Sequence, residues 1–150
     1  MKNRKGFTLI ELVIVILILG ILISATIPLY GKNADKAIIA EAQTALGVLK
    51  TQLELYKSNY GEYPSNAVTF AKSEYYNASD MQCTYVDDSC MDYKKVGKDS
   101  YKLICTSKYA GKSSNVAGTY YKADKIDQFK DLNVTITLDK SGDFTIEYNK

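Results

Sequence analysis

The 150 residues carry a formal net charge of +2 and no histidine. The charge excludes nucleic-acid binding by bulk electrostatics, and the second fact removes the commonest general base and metal ligand. Lys2, Arg4 and Lys5 crowd the first five positions with no acid among them, and the remaining acidic side chains outnumber the remaining basic ones, so the basic excess belongs to the amino-terminus rather than to a working surface. The length suits one domain of roughly 90 to 120 residues behind a non-globular opening segment.

Residues 7–30 read FTLIELVIVILILGILISATIPLY. At ~1.5 Å rise per residue this run makes about 36 Å of helix, more than the ~30 Å hydrocarbon core of a bilayer. Apolar side chains surround it, so lipid or protein must cover every face. The basic cluster in front places the amino-terminus on the cytoplasmic side, with the rest of the chain outside the membrane. The run exceeds the ~7 to 15 apolar residues of a secretory signal, and no A-x-A cleavage site adjoins it. A plain signal anchor explains the length and orientation but not Glu11. That carboxylate costs roughly 2.5 kcal/mol at a bilayer centre and less near the interface. Between Gly6 and Lys32 no basic side chain is available to it, so its partner must come from another chain, a newly made terminus or interfacial water. Gly20 and Pro28 are candidate helix breakers: glycine weakens a helix by roughly 1 kcal/mol, and proline removes a hydrogen bond. A loosened stretch between them is expected.

Helical periodicity resumes near Ala34. Ile38, Ala42, Ala45, Leu46, Leu49, Leu53, Tyr56 and Tyr60 recur at spacings of three and four as one apolar stripe. Lys36, Glu41, Gln43, Lys50, Gln52, Glu54 and Lys57 fall on the other faces. The helix should end at Asn59-Tyr60-Gly61, with Gly61 as a left-handed cap and Pro64 preventing a restart. Residues 67–80 read as a helix-to-sheet loop with room for one short helix. Strand patterns follow at 83–86, 101–106, 119–122, 134–138 and 144–148. The last two flank a hairpin loop over 139–143, where Gly142 supplies positive φ. Val134, Ile136 and Leu138 share one strand face, suited to packing on the amphipathic helix. The fold class is therefore α+β, a long amino-terminal helix packed on an antiparallel sheet of three to five strands. The organisation is 1–6 leader, 7–30 membrane or filament-core helix, 31–60 amphipathic helix and 61–150 globular head.

Cys83, Cys90 and Cys105 leave three single-disulfide pairings open if the head is exported, and reduced thiols are the alternative. The C-x6-C spacing without histidine suits zinc poorly. Asp87, Asp88 and Asp92, and the acids of 139–143, could offer oxygens to calcium, yet solvated turns need less. Lys94, Lys95, Lys98 and Lys102 cluster among aspartates and read as a solvated loop. The thirteen tyrosines read as core and interface packing. No nucleophile–base pair or glycine-rich phosphate loop is present, so neither an enzyme nor a cofactor is expected.

The string KGFTLIEL at residues 5–12, between a short basic leader and a long apolar helix, resembles the cleavage and assembly signature of type IV prepilins and type II secretion pseudopilins. The helix exit, Tyr56 through Gly61 to Tyr63-Pro64, resembles the family's Y-x-x-x-x-G-x-Y-P pattern. The resemblance implies a type IV pilin fold. It implies that a prepilin peptidase cuts between Gly6 and Phe7 and N-methylates Phe7, a step in which glycine offers the protease no side-chain obstruction. It further implies that Glu11 neutralises the Phe7 amine of a neighbouring subunit, a buried pair that fixes register more than it adds stability. The implied life history is a single-pass precursor in the inner membrane with its head outside, then an extracellular helical homo-oligomer. Its implied partners are the peptidase, the inner-membrane assembly platform and its ATPase, with no nucleic acid. The function implied is that of a pilus subunit for adhesion, twitching motility or aggregation. The alternatives are a pseudopilin of type II secretion, whose calcium-loop motif near the carboxyl-terminus is not evident here, and a competence pilin for DNA uptake.

Overall fold

The computed structural model describes residues 8–81, 83–110 and 123–149, with the side chains of 25–32 outside the description. The chain divides into two units, Met1–Lys36 and Ala37–Lys150. One helix, α1 (Leu9–Tyr60), contributes to both. The break expected between Gly20 and Pro28 is absent from the backbone, because α1 runs through both positions as one element. Proline deprives only the Ser24 carbonyl of its helical donor, and the flanking residues continue the ladder. In the first unit, every large apolar side chain of residues 9–23 stands between 41% and 82% exposed.

The second unit begins where the apolar residues narrow to a stripe. Ile38, Ala42, Ala45, Leu46, Leu49 and Leu53 are all buried in one core cluster. Tyr56 packs partly buried against that cluster, and Tyr60 at the helix end is 58% exposed. The helix stops as its sequence dictates. Gly61 has φ of 76° and its N–H bonds the Lys57 carbonyl at 2.8 Å, a left-handed cap that glycine adopts without a Cβ penalty.

Beyond the cap come α2 (Ala67–Ala71), β1 (Met91–Lys95), β2 (Tyr101–Thr106), α3 (Ile126–Asp131), β3 (Val134–Asp139) and β4 (Phe144–Tyr148). Asn66 caps α2 by accepting the Thr69 N–H at 2.9 Å. The four strands form one antiparallel sheet in the order β1-β2-β3-β4. Leu103 lies opposite Leu138, and Ile136 opposite Ile146. Val134, Ile136 and Leu138 alternate with half-exposed threonines and an aspartate, and the buried face shares its core with the stripe of α1. Strand β4 is exposed throughout.

One strand expectation changes, and one helix was not anticipated. Residues 83–86 form no strand; their Tyr85 and Val86 N–H groups bond the Glu41 side chain rather than another strand. The strand of that region is β1, whose Met91 and Tyr93 alternate with less buried neighbours. Helix α3 was not legible because only Ile126 and Phe129 mark its buried side. The expected strand at 119–122 lies outside the described residues. Gly142, with φ of 103°, turns the β3–β4 hairpin as its position requires.

Candidate processing and assembly site

Gly6 and Phe7 lie outside the described residues, so the site is built from Thr8 onward. Thr8 precedes the first helical residue and Glu11 stands in the first turn. The Thr8 N–H donates to Glu11 Oε2 at 2.8 Å, and the Thr8 hydroxyl donates to the same oxygen at 2.8 Å. In return the Glu11 N–H reaches Thr8 Oγ1 at 3.4 Å. This is a reciprocal capping box, in which two orphan donors of the helix start find partners. The acid also faces the positive end of the helix dipole. Glu11 thus has neutral hydrogen-bond partners at its own helix start, while no basic side chain lies between Gly6 and Lys32. Thr8-Leu9-Ile10-Glu11 matches the S/T-x-x-E signature, so the signal was in the sequence.

What surrounds that carboxylate is apolar and uncovered. Leu9, Ile10 and Leu12 are 82%, 66% and 60% exposed. Among the described residues no helix is long and apolar enough to cross a membrane; the described side chains of the apolar run stop at Ser24. A one-turn polar device at the head of an exposed apolar helix can do two things chemically. It can hold a carboxylate ready in a fixed place, and it can exchange hydrogen bonds to neutral groups for a cationic partner.

In the second unit, polar residues of α1 that the sequence assigned to outer faces tie down the loops. Glu41 Oε1 accepts the Tyr85 N–H at 2.5 Å and the Val86 N–H at 3.3 Å. Gln52 is buried; its Nε2 donates to the Asn77 carbonyl at 3.0 Å and to Asp80 Oδ2 at 3.2 Å. Glu54 Oε1 accepts the hydroxyls of Tyr63 at 2.9 Å and Tyr101 at 3.3 Å. Burial, reinforced by this carboxylate, pushes both phenols well above the ordinary tyrosine range. Lys57 pairs with Asp99 at 3.0 Å and holds its carboxyl below the usual range.

The acidic groups serve turns. Asp87 is buried, and its Oδ1 accepts the Ser89 N–H at 3.0 Å and the Ser89 hydroxyl, while Oδ2 accepts the Ala123 N–H at 3.5 Å. Asp139 Oδ1 accepts the Gly142 and Asp143 N–H groups, both at 3.1 Å, and the Ser141 hydroxyl. The hydroxyl, followed by these N–H groups, holds its carboxyl below the usual range. Among the described residues no group of three or more acids or cysteines could hold a metal ion. In the lysine cluster, Lys94 lies opposite Lys102 across β1 and β2, whereas Lys95 Nζ donates to the Tyr63 carbonyl at 2.9 Å. Cys83, Cys90 and Cys105 are buried thiols, none in a disulfide.

The family described as "Prokaryotic N-terminal methylation motif" matches residues 1–27. The chain is 38% identical over 64 residues to the type II secretion system core protein G of Dickeya chrysanthemi, covering 43% of this chain and 42% of that protein. It is 44% identical over 63 residues to a fimbrial protein of Neisseria meningitidis serogroup A, covering 42% and 37% respectively. Core protein G of Vibrio cholerae is 38% identical over 65 residues, 43% of this chain and 44% of that protein. The chain thus matches less than half the length of these relatives. No solved structure shows significant similarity to it.

Proposed function

We propose that this chain, whose amino-terminal segment is that of the type IV pilin and pseudopilin family, is a structural subunit of a type IV pilus. The observation that carries this reading is Glu11: a carboxylate fixed in the first helical turn, four residues from Phe7 in a segment matched by the methylation motif. The leader is removed after Gly6, the new amine at Phe7 is methylated, and residues 7–30 hold the precursor in the cytoplasmic membrane with the head outside. Assembly then carries the apolar helix from lipid into a filament core made of its own copies. Both environments cover apolar surface on every face, and the second also offers Glu11 a cation. The exchange replaces the Thr8 hydrogen bonds with an ion pair to a neighbour's Phe7 amine. A misplaced subunit leaves both charges unpaired, at a cost of a few kcal/mol.

The peptidase, an inner-membrane platform and its ATPase are the partners this history requires. The role is structural, not catalytic. The second reading is a secretion pseudopilin, favoured by the likeness to core protein G and by the Tyr56-to-Pro64 helix exit. It shares every step up to filament extension.

Mass spectrometry of the assembled protein tests the processing step. A chain beginning at methylated Phe7 is expected, and Gly6→Val should leave the leader attached and abolish filaments. Assembled filaments made of intact residues 1–150 would overturn it. Sheared surface filaments that vanish on deletion of the gene separate a pilus from a pseudopilus, whose loss would instead stop secretion of an exoprotein.

A further inference from the structure

The two edges of the sheet are finished differently. At β1 the Val96 N–H bonds the Ser100 carbonyl at 2.8 Å, which sets the alternation of the ladder, so Met91, Tyr93 and Lys95 direct their peptide groups away from β2. The first two of these N–H groups are occupied: Met91 donates to the Asp88 carbonyl, and Tyr93 to Asp92 Oδ1 at 2.9 Å. Both side chains are buried, and Lys94 and Lys95 add the charge that discourages a further strand. At β4 the Asp139 N–H bonds the Asp143 carbonyl at 3.2 Å, and the Asn149 N–H bonds the Asn133 carbonyl at 2.7 Å. Thr145 and Glu147 therefore face β3, while Phe144, Ile146 and Tyr148 turn their N–H and C=O groups outward. The same three residues lie opposite Leu138, Ile136 and Val134, so their side chains share the buried face of the sheet. They nonetheless stand 41%, 39% and 68% exposed. The strand, FTIEY, holds no lysine, proline or glycine, and Glu147 is its one charge. An open apolar edge of this kind is a template for another strand.

We infer that β4 pairs antiparallel with β4 of a second copy, and that this contact joins filaments side by side; the second half of the inference rests on the pilus reading above. The strand is complementary to itself in one register. Centred on Ile146, the pairing sets Ile146 against Ile146 and Phe144 against Tyr148. Every outward peptide group of both strands then finds a partner, and the apolar row continues across the seam. Thr145 faces Glu147. A slip that centres the pair on Glu147 sets two like charges opposite one another, and a slip that centres it on Thr145 leaves Tyr148 facing the Gly142 turn. Area decides where the contact operates. With whole aromatic side chains at ~150 to 250 Å², the three residues expose roughly 300 Å² per copy. A pair then buries roughly 600 Å², about half of the ~1,200 Å² at which stable complexes begin. Two isolated copies therefore separate readily, whereas filaments that align many copies gain by multivalency. The pairing is two-fold symmetric, and copies generated by one repeated screw step include no two-fold. The partner strand accordingly belongs to another filament.

The test mixes two full-length single variants, Thr145→Cys and Glu147→Cys, at high concentration in detergent and oxidises them with glutathione disulfide. In the Ile146-centred register these positions are directly opposed, with Cα atoms ~4.5 Å apart and within disulfide reach. The mixture should give cross-linked dimer at least about tenfold faster than either variant alone or the wild type, whose native thiols set the background. Adding Ile146→Lys to both variants should remove that enrichment. A mixture no faster than its components, or enrichment that survives the lysine, would overturn the pairing; Glu147→Cys cross-linking to itself as fast as the mixture would overturn the register. Electron microscopy of sheared filaments is the second arm. Bundles are expected in the wild type and single filaments in Ile146→Lys at unchanged yield, with Tyr148→Lys as the alternative variant if the first lowers the yield. Wild-type filaments that lie singly, or bundles that persist in the variants, would overturn the bundling. Cross-links in detergent from a chain that makes no filament would sink the pilus reading, and bundling with it, but not the strand pairing.

Discussion

Helix α1 uses the same kinds of side chain to opposite ends in its two parts. Across residues 9–23 its leucines, isoleucines and valines stand 41% to 82% exposed, whereas Ile38, Leu46, Leu49 and Leu53 are at most 3% exposed. Composition does not make the difference; pattern does. An apolar stripe can be covered by one sheet of the same chain, but a helix that is apolar all round cannot. The stripe of the second unit is therefore covered within its own chain, whereas the described apolar side chains of residues 9–23 are not. The polar groups follow the same division. Glu41, Gln52 and Glu54 are spent on loops and tyrosines of the second unit, while among the described residues Glu11 is held by its own helix start.

The largest effect should come from the first region. Glu11→Leu should insert and be processed normally, since it removes a carboxylate from lipid. Its sheared filament fraction should nonetheless fall by tenfold or more, because each Phe7 amine is buried without a partner at a few kcal/mol. Glu11→Gln sharpens the result, since glutamine keeps the capping box but not the charge. Membrane pool and filament fraction, measured separately, decide between the roles. Normal filaments in both variants would rule out the ion pair, and normal filaments in Glu11→Gln alone would reduce the acid to a cap.

Next in size is a matched pair of leucines. Leu46→Ala should cost about 2 to 5 kcal/mol in denaturant unfolding of the detergent-solubilised chain, the usual price of a core cavity. Leu17→Ala, at a side chain 59% exposed, should stay within about 0.5 kcal/mol. Equal costs at the two positions would erase the distinction between the regions.

Alkaline titration gives the smallest and most gradual effect. Burial raises the Tyr93 phenol to about 12, and burial with Glu54 raises Tyr63 and Tyr101 further. The folded head thus holds these protons more tightly than the unfolded chain, whose phenols titrate near ~10. Their stabilisation is complete below that pH and is lost as pH climbs toward the folded values. The expected loss is about 1.4 kcal/mol per pH unit for each buried tyrosine. Tyrosinate absorbance and unfolding midpoints, followed together, should move in step. Tyrosinate formation with no change in midpoint would place these phenols in solvent.

The sequence by itself determined whatever depends on neighbours along the chain. The apolar run, the stripe from Ile38 to Leu53, the stop at Gly61, the β3–β4 hairpin and the motif around Glu11 are all local in period or turn chemistry. The capping box at Thr8 was equally local and could have been read. Tertiary structure alone decided what depends on distant residues meeting. Glu41 reaches Tyr85, Gln52 reaches Asn77 and Glu54 reaches Tyr101, although each looks like an ordinary outer-face residue of a helix. Residues 91–95 became the strand in place of 83–86 because Glu41 took the N–H groups a strand would have used. Likewise Met91 faces Cys105 only through the register of β1 on β2. Helical and turn geometry repeats over a few residues and so is written in the sequence pattern. Partners separated by fifteen to fifty positions are chosen by packing, where burial forces every polar group to find whatever donor or acceptor the fold brings near.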